Sequence, residues 1–417
     1  MGVALSVPTP VSGGKALTLY CQVFHPDEQS TAQLFAGWTA SLAARGWDIR
    51  VVCGFPPDDA ARRAPARESW RGVDIRRVGV RLNFKRSLGS RAIHYAAYLG
   101  GVALELLGDP GRQALVVTNP PFLPIWASFI RRLCGGRYAL EIQDLYPDGL
   151  VALGVMREGT IAKVWRFLNR AAFRKAEFIV VLGRDMAERL QSTYGQASEK
   201  IRVIPHWSPV EPPTETPAEA TALVQEFGLE NRFVIQYSGN MGLWHDLEQI
   251  VEAADILQQR EDIYFLMVGG GRRRASAECL STERRLANIR WLPFQPAERL
   301  VDSLSACHAA LISQREGLEG SAVPCKLYGI LASGRAVIAA VPENSEIARV
   351  VREEECGLVV SPGDAEMLAR AVVSLADDPV RTREMGRRAR EAYLRKYTLT
   401  RALDRFETCC QPSPDRR

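Results

Sequence analysis

The chain has no C-x-x-C pair, no D-x-D stretch in a suitable loop and no apolar run long enough to span a bilayer. Each absence excludes something. Its nine cysteines are an odd number and Cys409 adjoins Cys410, so a disulfide framework and a cysteine zinc site are not expected. That usage fits a reducing compartment. A bilayer span needs about 18 uninterrupted apolar residues. The nearest candidates are Tyr95–Leu107, broken by Glu105, and Phe122–Leu133, broken by Arg131 and Arg132. The opening MGVALSVPTPVSGGK has no charged segment ahead of its short apolar run and makes a poor signal peptide. No divalent-ion site is expected, and the net charge of +5 is too small for the length to name a partner.

What is present reads as a soluble globular protein, with 47% apolar and 24% charged residues. A length of 417 residues exceeds one ordinary core and predicts two domains. Short β-rich runs alternate with helical stretches. ALTLYCQVF, DIRVVCGF, ALVVTN, YALEIQD, FIVVLG and IRVIP come first. RFVIQYSG, IYFLMVGGG, IRWLPF, HAALIS, AVIAAV and GLVV follow. Leu34, Trp38 and Leu42 recur once per helical turn before Gly46, where a helix would end. Strands that are apolar throughout and separated by helices predict parallel sheets covered on both faces. SPVEPPTETPAEA, residues 208–220, has no apolar period and reads as a linker. The expected division is a flexible segment 1–15, a domain 16–207, the linker 208–220 and a domain 221–394. A last helix near 395–410 is expected to pack back on the first domain. The fold class is α/β: two Rossmann-like doubly wound domains facing a cleft, with ligands at the carboxyl ends of the strands.

Four loops of the second domain follow strands and suit an anion or a nucleotide. In YSGNMGLWHD, Gly239 and Gly242 let backbone approach a ligand ahead of a helix, with Asp246 as N-cap and Gln249 three residues on. In VGGGRRR, Gly269 and Gly270 precede three arginines that can seat a diphosphate or form a solvated face. In WLPFQP, Phe294 can lie against a base. In REGLEGSAVPCK, Lys326 stands at the first turn of a helix, a phosphate site in miniature. Glu316 and Glu319 just before it can accept hydrogen bonds from sugar hydroxyls. Each has a plain structural alternative, a tight turn or a surface charge; the four in order at strand ends favour a ligand.

YSGNMG, MVGGG, LPF, SAVPCKLYGILASGRAVIAAVPENSEIARVV and CGLVVSPGDAEMLARAV together resemble the family 4 glycosyltransferases of the GT-B fold. LEIQDLYPDGLVALGVM and FIVVLGRDMAERL are similar to a bacterial subgroup that builds O-antigen and capsule repeat units. The resemblance runs from about Thr18 to Tyr397. It implies retaining transfer of an amino or deoxy hexose from a nucleotide diphosphate donor, UDP by expectation. The implied acceptor is a polyprenyl-diphosphate-linked saccharide at the cytoplasmic face of the plasma membrane. No cofactor is implied.

The family's E-x7-E pattern is altered. Matching LASG to the family's MASG puts Ser321 at the first glutamate and Gly329 at the second. Either Glu316 or Glu319 is then expected to take a hydroxyl contact. Asn240 stands where many members have a phosphate-binding arginine, and His245 near the place of a lysine, which leaves Lys326 for the diphosphate. The residues expected to carry catalysis are Lys326, Glu319 and Asp148. Those expected at the donor are Gly239, Asn240, Gly242, His245, Gly269, Gly270, Phe294, Glu316, Ser321 and Lys326.

On the acceptor side the expected residues are Ser30 and Thr31 at a helix start, Asp144 of QDLYPD, and His206 of VIPHW. Each can instead be a cap, a turn or a structural histidine. Between Arg62 and Arg91 ten basic residues face only Glu68 and Asp74, with Trp70, Leu82, Phe84 and Leu88 interleaved. Basic charge beside apolar helices predicts docking on an anionic membrane surface. No nucleic-acid recognition module accompanies it. The competing functions are a nucleotide-sugar epimerase on the same fold and a non-catalytic scaffold of a polysaccharide assembly complex.

Overall fold

The computed structural model describes residues 15–27, 29–56, 63–82, 87–211 and 216–410. The chain before Lys15, the middle of the expected linker, Arg62, Phe84, Lys85, Arg86 and the tail after Cys410 lie outside these.

Among the described residues the strands fall into two sheets. The first holds β1 Ala16–Tyr20, β2 Asp48–Gly54, β3 Arg67–Trp70, β4 Val73–Val78, β5 Gln113–Val117, β6 Tyr138–Ile142, β7 Ile179–Val181 and β8 Ile201–Val203. Its order is β3-β4-β2-β1-β5-β6-β7-β8. The second holds β9 Phe233–Asn240, β10 Ile263–Gly270, β11 Ile289–Leu292, β12 Ala309–Ser313, β13 Ala336–Ala340 and β14 Gly357–Val360, in the order β11-β10-β9-β12-β13-β14. Every recorded pairing in the second sheet is parallel. β12 and β13 are buried along their whole length, as apolar runs such as AALIS and AVIAA require when helices cover both faces. The two doubly wound sheets expected from the alternation are present.

Backbone compactness divides the chain differently. One unit runs up to Glu141 and takes in Lys175–Glu177; the other holds Ile142–Arg174 and Phe178 onward.

The sequence pattern concealed the antiparallel pair β3–β4. RESW and VDIRRV are short and full of charge, so neither reads as a strand. The charges are used locally. The Arg77 side chain is fully buried; it donates to the carbonyls of Pro65 (2.8 Å) and His25 (2.9 Å) and pairs with Glu68 at 2.7 Å. Arg76 pairs with Asp74 (3.2 Å) and Glu105 (2.9 Å). These two arginines therefore belong to the sheet edge and not to a basic face. Arg131, which interrupts an apolar run in the sequence, is also buried. It donates to the carbonyls of Leu106 (3.3 Å), Asp109 (3.0 Å) and Arg112 (3.1 Å), at and just beyond the end of the helix Leu88–Gly108. That end has orphan carbonyls that need donors.

Removing a buried paired arginine leaves its partners uncompensated, whereas a half-exposed ion pair contributes little. Arg77→Met is expected to lower stability by roughly 3 kcal/mol. Arg76→Met is expected to cost no more than about 1 kcal/mol. Denaturant midpoints of the two purified variants check the ordering.

Candidate functional site

In the second sheet the strand order reverses between β9 and β12. Ligands of doubly wound sheets bind outside the carboxyl ends of strands at such a switch point. The loops after β9 and β12 are tied together there. Ser313, the last residue of β12, donates from Oγ to the Asp246 carbonyl (3.0 Å) and accepts from the Asp246 amide (2.8 Å). Its carbonyl lies 2.6 Å from His245 Nδ1. A carbonyl only accepts, so Nδ1 carries the ring proton and Nε2 presents a lone pair. That lone pair faces Lys326 Nζ at 3.2 Å, and Nζ also donates to the Asn240 carbonyl at 3.0 Å.

The ammonium thus rests on two neutral acceptors and over the Tyr237 ring, 5.1 Å from its centroid. Burial pushes its pKa down to about 8. Burial and the neighbouring cation push His245 down to about 3, so the imidazole is neutral at pH 7. Lys326 forms no salt bridge with a described carboxylate. A charge held this way is preorganised for an anion.

Two glycines make the close approach of these strand ends possible. Gly269 (φ +131°) pairs with Gly239 (φ +127°) at the strand ends. A Cβ on Gly269 would lie 2.1 Å from the Gly239 carbonyl oxygen, and one on Gly239 would lie 3.0 Å from Lys326 Cε. Neither backbone conformation suits an L side chain. Phe294 is 60% exposed beside Gly270, where a Cβ would come within 3.2 Å of its ring. An open aromatic face is therefore available to a flat ligand.

Comparison with known proteins decides the family. The model described as "Glycosyl transferase 4-like domain" matches residues 31–207, and "Glycosyl transferases group 1" matches residues 220–392. The chain belongs to the family 4 glycosyltransferases of the GT-B fold. The glycosyltransferase is 26% identical to a Pseudomonas aeruginosa chain named as glycosyltransferase WbjE, over 76% of this chain and 79% of that one. It is 27% identical to WcaI of Escherichia coli K12, named for colanic acid biosynthesis, over 72% and 77%. Among solved structures it superposes on Anabaena HepE in complex with UDP with a TM-score of 0.68. That match is 14% identical and covers 94% of this chain and 98% of that one.

The other expected residues of this glycosyltransferase separate clearly. Glu316 is exposed. Glu319 is half-buried, and its Oε2 is buried without a hydrogen-bond partner. A buried carboxylate oxygen with no donor is a place for a ligand hydroxyl. Gly242 lies beside the Asn240 side chain. The Ser321 hydroxyl is buried and accepts from Arg189 at 3.1 Å, and its carbonyl accepts from the Leu145 amide at 2.7 Å. It holds the loop in place.

Asp148 departs further from expectation. It is buried, with one oxygen taken by Arg166 Nε at 3.0 Å and the other by the Tyr194 hydroxyl. Both oxygens are thus occupied within the protein, as in a structural carboxylate. Asp144 forms an isolated antiparallel bridge with Ala322, and burial raises its pKa to about 6. His206 is buried against Gln143 Oε1 at 2.8 Å, and burial lowers it to about 4. Ser30 and Thr31 open the helix Ser30–Ala44 in the other compact unit; that helix has no side-chain cap.

Two further expectations are corrected. Gln249 does not complete a capping box. Asp246 does accept from the Gln249 amide at 3.3 Å, but the Gln249 side chain runs to the carbonyls of Ser361 and Asp364, each at 2.9 Å. Of the three arginines after Gly271, Arg274 donates to the Gly269 carbonyl at 2.7 Å and Arg273 pairs with Glu248 at 2.6 Å. Arg273 and Arg274 thus build the glycine loop and its neighbours.

Asp185 carries little signal in the sequence. Its Oδ2 accepts from the amides of Gly320 (3.0 Å) and Glu346 (3.1 Å), and Oδ1 from Met186 (2.7 Å). Burial raises its pKa while these donors oppose the shift. Glu346 answers by accepting from the Arg184 amide at 2.8 Å. One carboxylate therefore fixes both the loop carrying Glu319 and the start of the helix Glu346–Glu353. An aspartate after a strand within FIVVLGRD was the only available signal, and it also fits a plain helix start.

Asp185→Ala is expected to lose roughly 2–4 kcal/mol, since its bonds are charge-assisted and buried. Asp185→Asn, which keeps the shape, recovers little because an NH2 must face an N–H. Thermal unfolding of both variants checks this.

Proposed function

We propose that this glycosyltransferase moves a sugar from a UDP-linked donor to a polyprenyl-diphosphate-linked saccharide during surface polysaccharide synthesis. The acceptor would be met at the cytoplasmic face of the membrane. The observation that carries the proposal is the Lys326 ammonium at the switch point, held by the Asn240 carbonyl and neutral His245 with no salt bridge to a described carboxylate. Support for UDP comes from the bound nucleotide in the HepE structure. Support for a surface polysaccharide comes from the colanic acid designation of WcaI and from a solved neighbour, WaaG, described as acting in lipopolysaccharide biosynthesis.

In this proposal Lys326 binds the diphosphate and stabilises charge that grows on it as the glycosidic bond breaks. Phe294 lies against the base. The free Oε2 of Glu319 accepts from a sugar hydroxyl. Retention follows if the acceptor attacks on the face from which the diphosphate departs; the phosphate itself then takes the acceptor proton. No side chain need act as a strong base, and the proposed chemistry draws on no metal.

Peripheral attachment rests on exposed apolar side chains. Leu104 of the helix Leu88–Gly108 is 73% exposed, and Phe129 and Leu133 of the helix Leu123–Cys134 are 53% and 65% exposed. Among the described residues no helix is long and apolar enough to cross a membrane.

Two measurements test the donor assignment. UDP at about 100 times its dissociation constant should stabilise the protein by about 2.7 kcal/mol in a thermal-shift assay. Lys326→Met should weaken UDP binding on the order of 10- to 100-fold, the loss of a charge-assisted contact. No shift with UDP or any other nucleoside diphosphate would remove the proposal.

The pH dependence has a definite sign. Lys326 is charged below its pKa of about 8 and loses its proton above it. UDP affinity should therefore fall as pH rises through 8. Because the diphosphate favours the ammonium, binding near pH 8 should take up protons. Calorimetry in two buffers of different ionisation heat measures that uptake, which should vanish in Lys326→Met.

A further inference from the structure

The helix Thr160–Lys175, TIAKVWRFLNRAAFRK, is covered on one side only. Ala162, Trp165, Asn169, Ala172 and Phe173 are buried. The opposite side is not the polar face that a solvated helix presents. Ile161 is 74% exposed, Phe167 64%, Val164 52% and Leu168 40%. These residues recur at helical spacing and form one continuous stripe. Val155, shortly before the helix, is exposed as well, at 59%.

Cations border the stripe. Lys163, Arg170, Arg174 and Lys175 are all exposed, and none forms a salt bridge with a described residue. The helix contains no aspartate or glutamate. The acids that flank it in sequence are already occupied: Glu158 pairs with Arg166 at 2.7 Å, and Glu177 with Arg137 at 2.9 Å. The outer face therefore combines exposed apolar surface with positive charge that no salt bridge to a described residue neutralises.

We propose that this face docks on an anionic lipid bilayer, with the apolar stripe entering the headgroup boundary and the cations meeting lipid phosphates. A bilayer offers both components side by side: apolar chains beneath a plane of negative charge. A second copy of the chain presenting the same face would set like charges together, which disfavours self-association through it. The proposal rests on the lipid-linked acceptor suggested above and adds to it a contact surface that the basic stretch before Arg91 did not indicate. Docking here would hold the enzyme at the depth of an acceptor whose lipid stays in the leaflet.

The full-length protein is tested by co-sedimentation with vesicles containing phosphatidylglycerol and with pure phosphatidylcholine vesicles. The expected result is binding to the first and not the second, weakened by salt. The double variant Phe167→Ser/Leu168→Ser should bind on the order of tenfold more weakly or worse. A second variant, Lys163→Gln/Arg174→Gln, changes only exposed charge. It should lose about tenfold and show a smaller salt dependence. Both variants should keep the UDP-induced thermal shift, which separates lipid docking from donor binding. If the unmodified protein binds phosphatidylglycerol vesicles and both variants bind equally well, this helix is not the docking surface, although membrane attachment itself stands. If the unmodified protein binds neither vesicle, the membrane reading fails as a whole. A concentration-dependent dimer in solution that Phe167→Ser/Leu168→Ser abolishes would assign the face to a second copy and overturn the lipid inference.

Discussion

At the ends of β9 and β10 two backbones come closer than side chains allow. Gly269 meets the Gly239 carbonyl where a single methyl group would clash at 2.1 Å. Much at the switch point depends on that approach. It leaves Lys326 room to pass Gly239 and reach the Asn240 carbonyl. The lysine is then held by neutral groups, so its charge is directed at whatever enters and not cancelled within the protein. His245 matters to this through its tautomer: a ring protonated at Nε2 would repel the ammonium, and the Ser313 carbonyl prevents that arrangement.

The sheets were legible because their signal is a one-dimensional pattern. Apolar runs of strand length separated by helical periods admit few architectures. All six strand candidates of the second half correspond to β9–β14. β3, the edge strand, was hidden because edge strands can be short and charged; β4 beside it was hidden because its arginines read more readily as a solvated stripe. The importance of Lys326 and the glycine loops could be seen because their residue types are restricted by chemistry. Asp148, Asp185 and Ser321 could not be ranked. The roles of such carboxylates and hydroxyls depend on which donors the fold brings to them, and those partners lie far away in sequence: Tyr194 for Asp148, Gly320 and Glu346 for Asp185, Arg189 for Ser321. Sequence alone suggested a catalytic role for Asp148 and an acceptor-side role for Asp144. The structure separates them by what surrounds each.

Cations in this chain show the same dependence on surroundings. Arg77 and Arg131 are buried and donate to carbonyls. Arg273 and Arg274 brace a loop. Lys163 and Arg174 remain exposed. Composition weighs all of them equally as positive charge, yet only the last kind can act on a distant surface.

The contacts of Asp185 bear on how such enzymes recombine. Its carboxylate joins residue 185 to Gly320 and Glu346 across the linker around residue 212. Tyr146 and Trp244 meet edge to face, and Leu145 bonds to Ser321, across the same span. A hybrid spliced at the linker would therefore bring together halves that had never been fitted to each other at these points. The compact unit that holds all of these contacts begins near Ile142, well inside the first sheet, so its border and the one read from the sequence at residue 207 do not coincide.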